Sequence, residues 1–205
     1  MPPCQGGCRG FESHPPLFFP LTNKCQAAQA DSFITIASAD NVFLGGDTHM
    51  KIKDFLCQQA VTADLKSQDK KGVINDMVDL LIKAGVIDKK SKTKIVETLM
   101  AREALGSTAI GQGIAIPHGK CDNVDQLTAA LGISKSGIDF DSLDGDPVYI
   151  FFLLIAPIDS AGPHLKALAR ISRLLKDKFF RDNLKSAGDD KALLQLIQQE
   201  DARAS

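Results

Sequence analysis

From residue 50 onward the apolar positions are regularly spaced. Ile74, Met77, Val78 and Leu81 recur at three- and four-residue intervals and Gly85 follows as a stop, which predicts an amphipathic helix over 73–84. A second helix is expected after the candidate cap Ser91, with Ile95, Val96, Leu99 and Met100 on one face and Gly106 at its end. Leu127, Ala129, Leu131 and Ile133 alternate with Thr128, Ala130, Gly132 and Ser134, the period-two signature of a strand with two unlike faces. The run from Val148 to Ala156 is apolar throughout and lies between turn-forming residues. A buried helix could carry such a run, but its aromatic and β-branched content favours a strand covered on both faces, at the centre of a sheet. Leu165, Leu168, Ile171, Leu174 and Leu175 then mark a third amphipathic helix, and Ala192, Leu193, Leu196 and Ile197 a final one. Helices before, between and after strands indicate an α/β sandwich.

The first 49 residues differ in character. They hold five of the nine prolines and several glycines, and no helical periodicity runs through them, so they are expected to form a poorly ordered N-terminal extension to a single domain over 50–205. Ala37, Ser38 and Ala39 look like a signal cleavage site. The apolar stretch before them is only four residues, however, and Asp31 interrupts it, so no secretory signal is expected. Met50 is a candidate start of the folded part.

Composition narrows the function classes. Of 205 residues, 44% are hydrophobic and 24% charged, an ordinary balance for a globular chain. No apolar run approaches the roughly 20 residues of a membrane-spanning helix, so membrane insertion is not expected. A net charge of −1 with scattered lysines and arginines gives no reason to expect a nucleic-acid partner. Cys4, Cys8, Cys25, Cys57 and Cys121 are odd in number and dispersed, which fits a reducing cytoplasm better than a disulfide framework. Cys4, Cys8, Cys25 and His14 have irregular spacing for zinc.

Candidate chemistry concentrates in GSTAIGQGIAIPHGK, Gly106 to Lys120. Glycines in such number suggest backbone N–H groups brought close to a phosphate. Two familiar phosphate motifs fail by count. A dinucleotide fingerprint starting at Gly111 needs glycine where Ile116 stands, and a phosphate-binding P-loop ending at Gly119-Lys120 needs glycine at Ile114 and a hydroxyl at Cys121. What remains is a short extended segment, Ile114 to Ile116, held out of the helical region by Pro117, with His118 on an exposed bend at a strand end. His118 is then either a nucleophile toward phosphorus or a surface histidine with no chemistry.

A second histidine, His164, follows Pro163 and is expected in the first turn of the third helix, where free N–H groups favour an anion and a neutral imidazole. Arg102, near the end of the second helix, could supply permanent positive charge, or could pair locally with an acid. No third ligand stands at metal spacing from the two histidines, so no metal is expected. Cys121 reads as an ordinary loop thiol, and Ser107 and Thr108 as residues that orient their loop or finish a helix.

Arg102-Glu103, the glycine stretch with its GIAIPHG core, and GPHLKALARIS some forty residues later together resemble the enzyme IIA domains of the fructose and mannitol class in the bacterial phosphoenolpyruvate-dependent phosphotransferase system, including their nitrogen-regulatory members. The likeness covers roughly residues 50 to 200. It implies an α/β domain, a mixed β-sheet flanked by helices on both faces, and a phosphocarrier that works only with partner proteins and needs no cofactor. His118 would accept the phosphoryl group from the carrier HPr or a paralogue docked over the glycine-rich surface. His164 and Arg102 would support the transfer. The onward acceptor would be a separate IIB subunit of a sugar transporter or a regulatory target; the alternative is a non-catalytic regulatory binding module that keeps the motif without phosphotransfer. No IIB-like or membrane segment is read in the chain, which favours the regulatory branch and a cytoplasmic location.

Overall fold

The computed structural model describes residues 50–203. The extension over 1–49, with Cys4, Cys8, Cys25 and His14, lies outside the described residues.

Among the described residues, five α-helices and six strands follow one another: β1 Leu56–Thr62, α1 Lys70–Lys83, α2 Lys92–Ala104, β2 Ala109–Gly111, β3 Ile114–Ala115, β4 His118–Cys121, β5 Thr128–Ile138, β6 Val148–Pro157, α3 Ala161–Leu174, α4 Lys178–Lys185 and α5 Asp190–Arg203. The strands form one mixed sheet in the order β1-β5-β6-β3-β2, and β4 continues past β3 along the same side of β6. β1 runs parallel to β5, and β3 and β4 run parallel to β6, whereas β5 and β6 are antiparallel.

The expected central strand is β6. Its side chains alternate between two cores: Ile150, Phe152 and Leu154 join helices α3, α4 and α5, and Phe151, Leu153 and Ile155 join α1 and α2. All six are fully buried, each contributing about 1.5–3 kcal/mol of transfer free energy. The fold is therefore a mixed sheet flanked by helices on both faces, as expected.

β5 has the expected two unlike faces, one of larger and one of small side chains, and both are covered: Thr128 through Ser134 are all buried. Its second face carries small residues to make room: a Cβ added to Gly132 would lie 2.8 Å from Leu65 Cδ1. Alternation of large and small side chains reflects how near the covering layer lies, and here both faces are covered.

Helix α1 buries Val73, Ile74, Met77, Val78 and Leu81 completely and begins three residues earlier than expected, where the Asp69 side chain accepts the Gly72 N–H. Ser91 does occupy the N-cap position of α2. Its backbone is helical and its side chain makes no capping bond, because a 3₁₀ turn over Lys89–Ser91 leads directly into the helix. Helix α3 is turned away from the expected stripe. His164, Ala167, Arg170, Ile171 and Leu174 are buried, and Leu165 is 54% exposed. The inward face carries a polar contact: Arg170 meets Asp201 of α5 through Nη2–Oδ1 at 2.6 Å and Nε–Oδ1 at 3.1 Å.

Four elements, β1, β2, β4 and α4, have no counterpart in the sequence pattern. α4 is eight residues long with only Phe180 and Leu184 as apolar anchors, and is started by Asp177, whose carboxylate accepts the Phe179 and Phe180 N–H groups. β1 lacks alternation because its register with β5 shifts between Leu56 and Val61.

Candidate functional site

The glycines divide into two groups. Gly111, Gln112 and Gly113 all have left-handed backbone, with φ of 88°, 57° and 75°, and close the β2–β3 hairpin. The Asp144 carboxylate accepts the Gln112 N–H at 2.6 Å, so close that a Cβ on Gly111 would lie 2.9 Å from its Oδ2. The Gly113 carbonyl accepts from Tyr149 and Ile150 at the start of β6, whereas His118 pairs with Leu154. Five residues of strand separate the two places, about 16 Å. These glycines shape a hairpin some way along the sheet from His118 and form no phosphate cradle beside it. Gly119, by contrast, lies beneath α2: a Cβ there would touch Leu99 and Thr98 at 3.4 Å. One turn further along α2 stands Arg102.

His118 opens β4 and is half-buried, less exposed than expected for a bend. Its Nδ1 is 2.7 Å from the Ile116 carbonyl oxygen. A carbonyl can only accept, so Nδ1 carries the proton and Nε2 keeps its lone pair. Burial pushes the imidazole below its ordinary pKa; the Ile116 bond opposes this, the Arg102 charge adds to it, and the Glu103 charge opposes it. The ring is neutral at physiological pH, as a nucleophile must be.

His164 sits with its ring centroid 5.6 Å from that of His118, the planes inclined by 50°. Helix α3 begins at Ala161, so Pro163 is its third residue and not its first, and the His164 N–H already bonds the Ser160 carbonyl at 3.0 Å. The free amides of the first turn therefore precede His164. Its side chain is 6% exposed, and burial, helped by the positive potential of His118 and Lys120, pushes its pKa down to about 4. The Nδ1 atom is buried and without a partner among the described residues. An unpaired lone pair is tolerated better there than an unpaired N–H, which leaves the proton on Nε2 as a donor.

Arg102 stands on the last turn of α2, half-buried, and its Nη1 donates to the Gly106 carbonyl at 3.2 Å. It closes its own helix, and among the described residues no carboxylate pairs with it. His118 and His164, far apart in sequence, thus stand side by side, and the charge of Arg102 acts on the His118 ring: two neutral imidazoles and a permanent cation, a set able to receive a phosphoryl group and spread its charge.

Glu103, next to Arg102 on α2, faces the interior. Its carboxylate is 5% exposed, accepts the Thr108 N–H at 2.9 Å and the Thr108 hydroxyl at 2.6 Å, and pairs with Lys70 at 3.0 Å. Its signal in the sequence is its place on the apolar stripe of α2, four residues after Leu99 and seven after Val96. Ser107 donates to the Phe140 carbonyl at 2.7 Å, so Ser107 and Thr108 do fix the turn that follows α2. Cys121 ends β4 instead of lying in a loop. Burial raises its pKa, against a Thr98 hydrogen bond that lowers it, so it remains a thiol. Among the described residues no group of three His, Cys, Asp or Glu could hold a metal ion, and no helix is long and apolar enough to cross a membrane.

Residues 54–200 match the phosphoenolpyruvate-dependent sugar phosphotransferase system, EIIA 2 family. A nitrogen regulatory protein of Bradyrhizobium diazoefficiens is 37% identical over 148 residues, 72% of this chain and 95% of that protein. The fructose-specific EIIABC component of Bacillus subtilis is 38% identical over 152 residues, 74% of this chain, which spans only 24% of that protein's length. Among solved structures, nitrogen regulatory protein IIA-Ntr from Neisseria meningitidis superposes with a TM-score of 0.64 at 30% identity, covering 71% of this chain and 98% of that one. IIA mannitol from Escherichia coli, at 20% identity, shares the fold with a TM-score of 0.58, over 68% of this chain and 96% of that one.

Proposed function

The chain belongs to the EIIA 2 family of the phosphoenolpyruvate-dependent sugar phosphotransferase system, and from that premise we propose that it is a phosphocarrier whose acceptor atom is Nε2 of His118. The observation that carries this reading is the 2.7 Å bond from Nδ1 to the Ile116 carbonyl, which holds the ring and leaves Nε2 unprotonated. HPr or a paralogue is the donor. The Nε2 lone pair forms the new N–P bond as the N–P bond of the donor's phosphohistidine breaks and its electron pair returns to the donor ring. His118 Nδ1 keeps its proton, so its ring becomes a cation. His164 Nε2–H and the Arg102 guanidinium meet the phosphoryl oxygens. Their positions beside His118 support both roles.

The onward partner is a regulatory target protein, in keeping with the nitrogen regulatory relatives that this chain covers almost end to end. A fructose-transport role, with transfer to a separate IIB, is the second reading, supported by the Bacillus relative. Either role belongs in the cytoplasm, with residues 50–205 as the IIA domain and 1–49 as an extension to it.

The test is incubation with phosphoenolpyruvate, enzyme I and HPr, followed by intact mass. Wild type should gain one phosphoryl group and His118→Ala none. His164→Ala and Arg102→Gln should each slow labelling by roughly 10²-fold. Full labelling of His118→Ala would move the acceptor elsewhere. A pull-down recovering only phosphotransferase components, whether or not the protein is phosphorylated, would count against the regulatory branch.

A further inference from the structure

A line of buried hydrogen bonds runs from α2 to the His118 ring. Glu103 accepts from the N–H and hydroxyl of Thr108; the Thr108 carbonyl accepts the Ile116 N–H at 3.0 Å; the Ile116 carbonyl accepts His118 Nδ1–H at 2.7 Å. Glu103, Thr108 and Ile116 are each at most 5% exposed. The Glu103–Thr108 bonds are buried and the His118 bond is part-buried, which shelters the line from water and makes its bonds stiffer and electrostatically stronger than at the surface.

The far side of the carboxylate is also fixed. Lys70 pairs with Glu103 Oε1, bonds Asp141 at 2.7 Å and lies 4.8 Å over the Phe140 ring. Burying a carboxylate costs several kcal/mol even with a partner, and a helix end can be closed without one. A charge kept at this position calls for a further role.

We propose that Glu103 is a positioning residue for phosphoryl transfer, which holds the His118 ring through Thr108 and Ile116 and whose negative charge stabilises the cation that ring becomes. The inference rests on His118 being the acceptor. When the Nε2–P bond forms, the Nδ1 proton stays on the ring, and the Ile116 carbonyl faces a positive N–H instead of a neutral one. Glu103 then strengthens the transition state more than the ground state, because the ring charge exists only once transfer has begun. The charges that act on the ring are those of Arg102 and Glu103 from α2; His164 of α3 stands beside it, Lys120 on its own strand acts on His164, and Lys70 of α1 pairs with Glu103. Glu103 is the only one among these that favours the cation, and its field does act in that direction.

The test is Glu103→Gln, which keeps the side-chain length and an oxygen for Thr108 but removes the charge, beside the double variant Glu103→Gln/Lys70→Met, which removes both members of the buried pair. Three quantities are read on the whole chain: the NMR titration midpoint of His118 without phosphate, the initial rate of labelling by phosphorylated HPr, and the melting temperature. In both variants the His118 midpoint should fall and the rate should drop roughly tenfold, the equivalent of one pKa unit. The melting temperature should recover in the double variant while midpoint and rate stay low. An unchanged midpoint, or a rate that recovers together with melting temperature, would reduce Glu103 to a structural ion pair and overturn the proposal. Failure of the phosphocarrier reading looks different: wild type carries no label on His118, yet its midpoint still shifts in Glu103→Gln.

Discussion

At the residue scale the site depends on which imidazole nitrogen carries a proton, and each histidine answers through a different environment. His118 is fixed by a carbonyl acceptor, His164 by burial without one. The His164 shift has a consequence for stability. In the unfolded chain this ring takes up a proton below its ordinary pKa of 6.5, whereas the folded ring stays neutral until about 4. Folding stability contributed by His164 is therefore complete above pH 6.5 and is lost as the pH falls toward 4, by about 2–3 kcal/mol across the window. Urea unfolding of wild type and His164→Gln at pH 7 and pH 4.5 should show the larger loss in wild type. Equal losses would mean that His164 is protonated as easily in the folded protein as outside it. Legibility at this scale was uneven. The two histidines and Arg102 could be picked out because their residue types imply chemistry; Glu103 was legible only by position, on the α2 stripe after Val96 and Leu99, because a glutamate on a helix ordinarily faces solvent and its partners Thr108 and Lys70 are joined to it by the fold.

At the element scale, short pieces of backbone set the distances. The β2–β3 hairpin needs three left-handed residues in succession, and the same glycines that looked like a phosphate cradle are consumed by that turn. Gly111→Ala should destabilise the protein by about 1–3 kcal/mol, from the strained φ and the approach of its Cβ to Asp144. It should leave the rate of phosphoryl transfer within roughly twofold, since the hairpin is about 16 Å from His118. A large loss of transfer rate at unchanged stability would return the hairpin to the site. The helices and the long strands were readable because each repeats its pattern over ten or more residues. The pieces that escaped, β1, β2, β4 and α4, are short or carry a register shift, so period detection has too few repeats to work with.

At the scale of the whole molecule, two cores share one sheet, and the helix that carries His164 is locked to the C-terminal helix by a buried ion pair. Arg170 reaches both the side chain and the backbone carbonyl of Asp201, and Asp201 also accepts the Lys53 N–H at 3.4 Å. Removing one partner leaves a buried charge, so Asp201→Ala should cost about 3–5 kcal/mol. Because α3 positions His164, the same variant should slow phosphoryl transfer even below its melting temperature. Loss of stability with an unaltered rate would show that α3 keeps its orientation by apolar packing alone.

The sequence by itself determined the class of fold, the central strand β6 and the GIAIPHG segment with its acceptor candidate. These are local matters: apolar periodicity, a proline that forbids helix, and a run of residue types too particular to arise from composition. Only the tertiary structure decided that α3 turns Leu165 outward and His164 inward, that two glycines serve a distant hairpin, and that a carboxylate from α2 reaches the ring of His118 through two other residues. Each of these is a relation between segments far apart in the chain, and it is fixed by which buried polar groups can find partners once the two cores have closed.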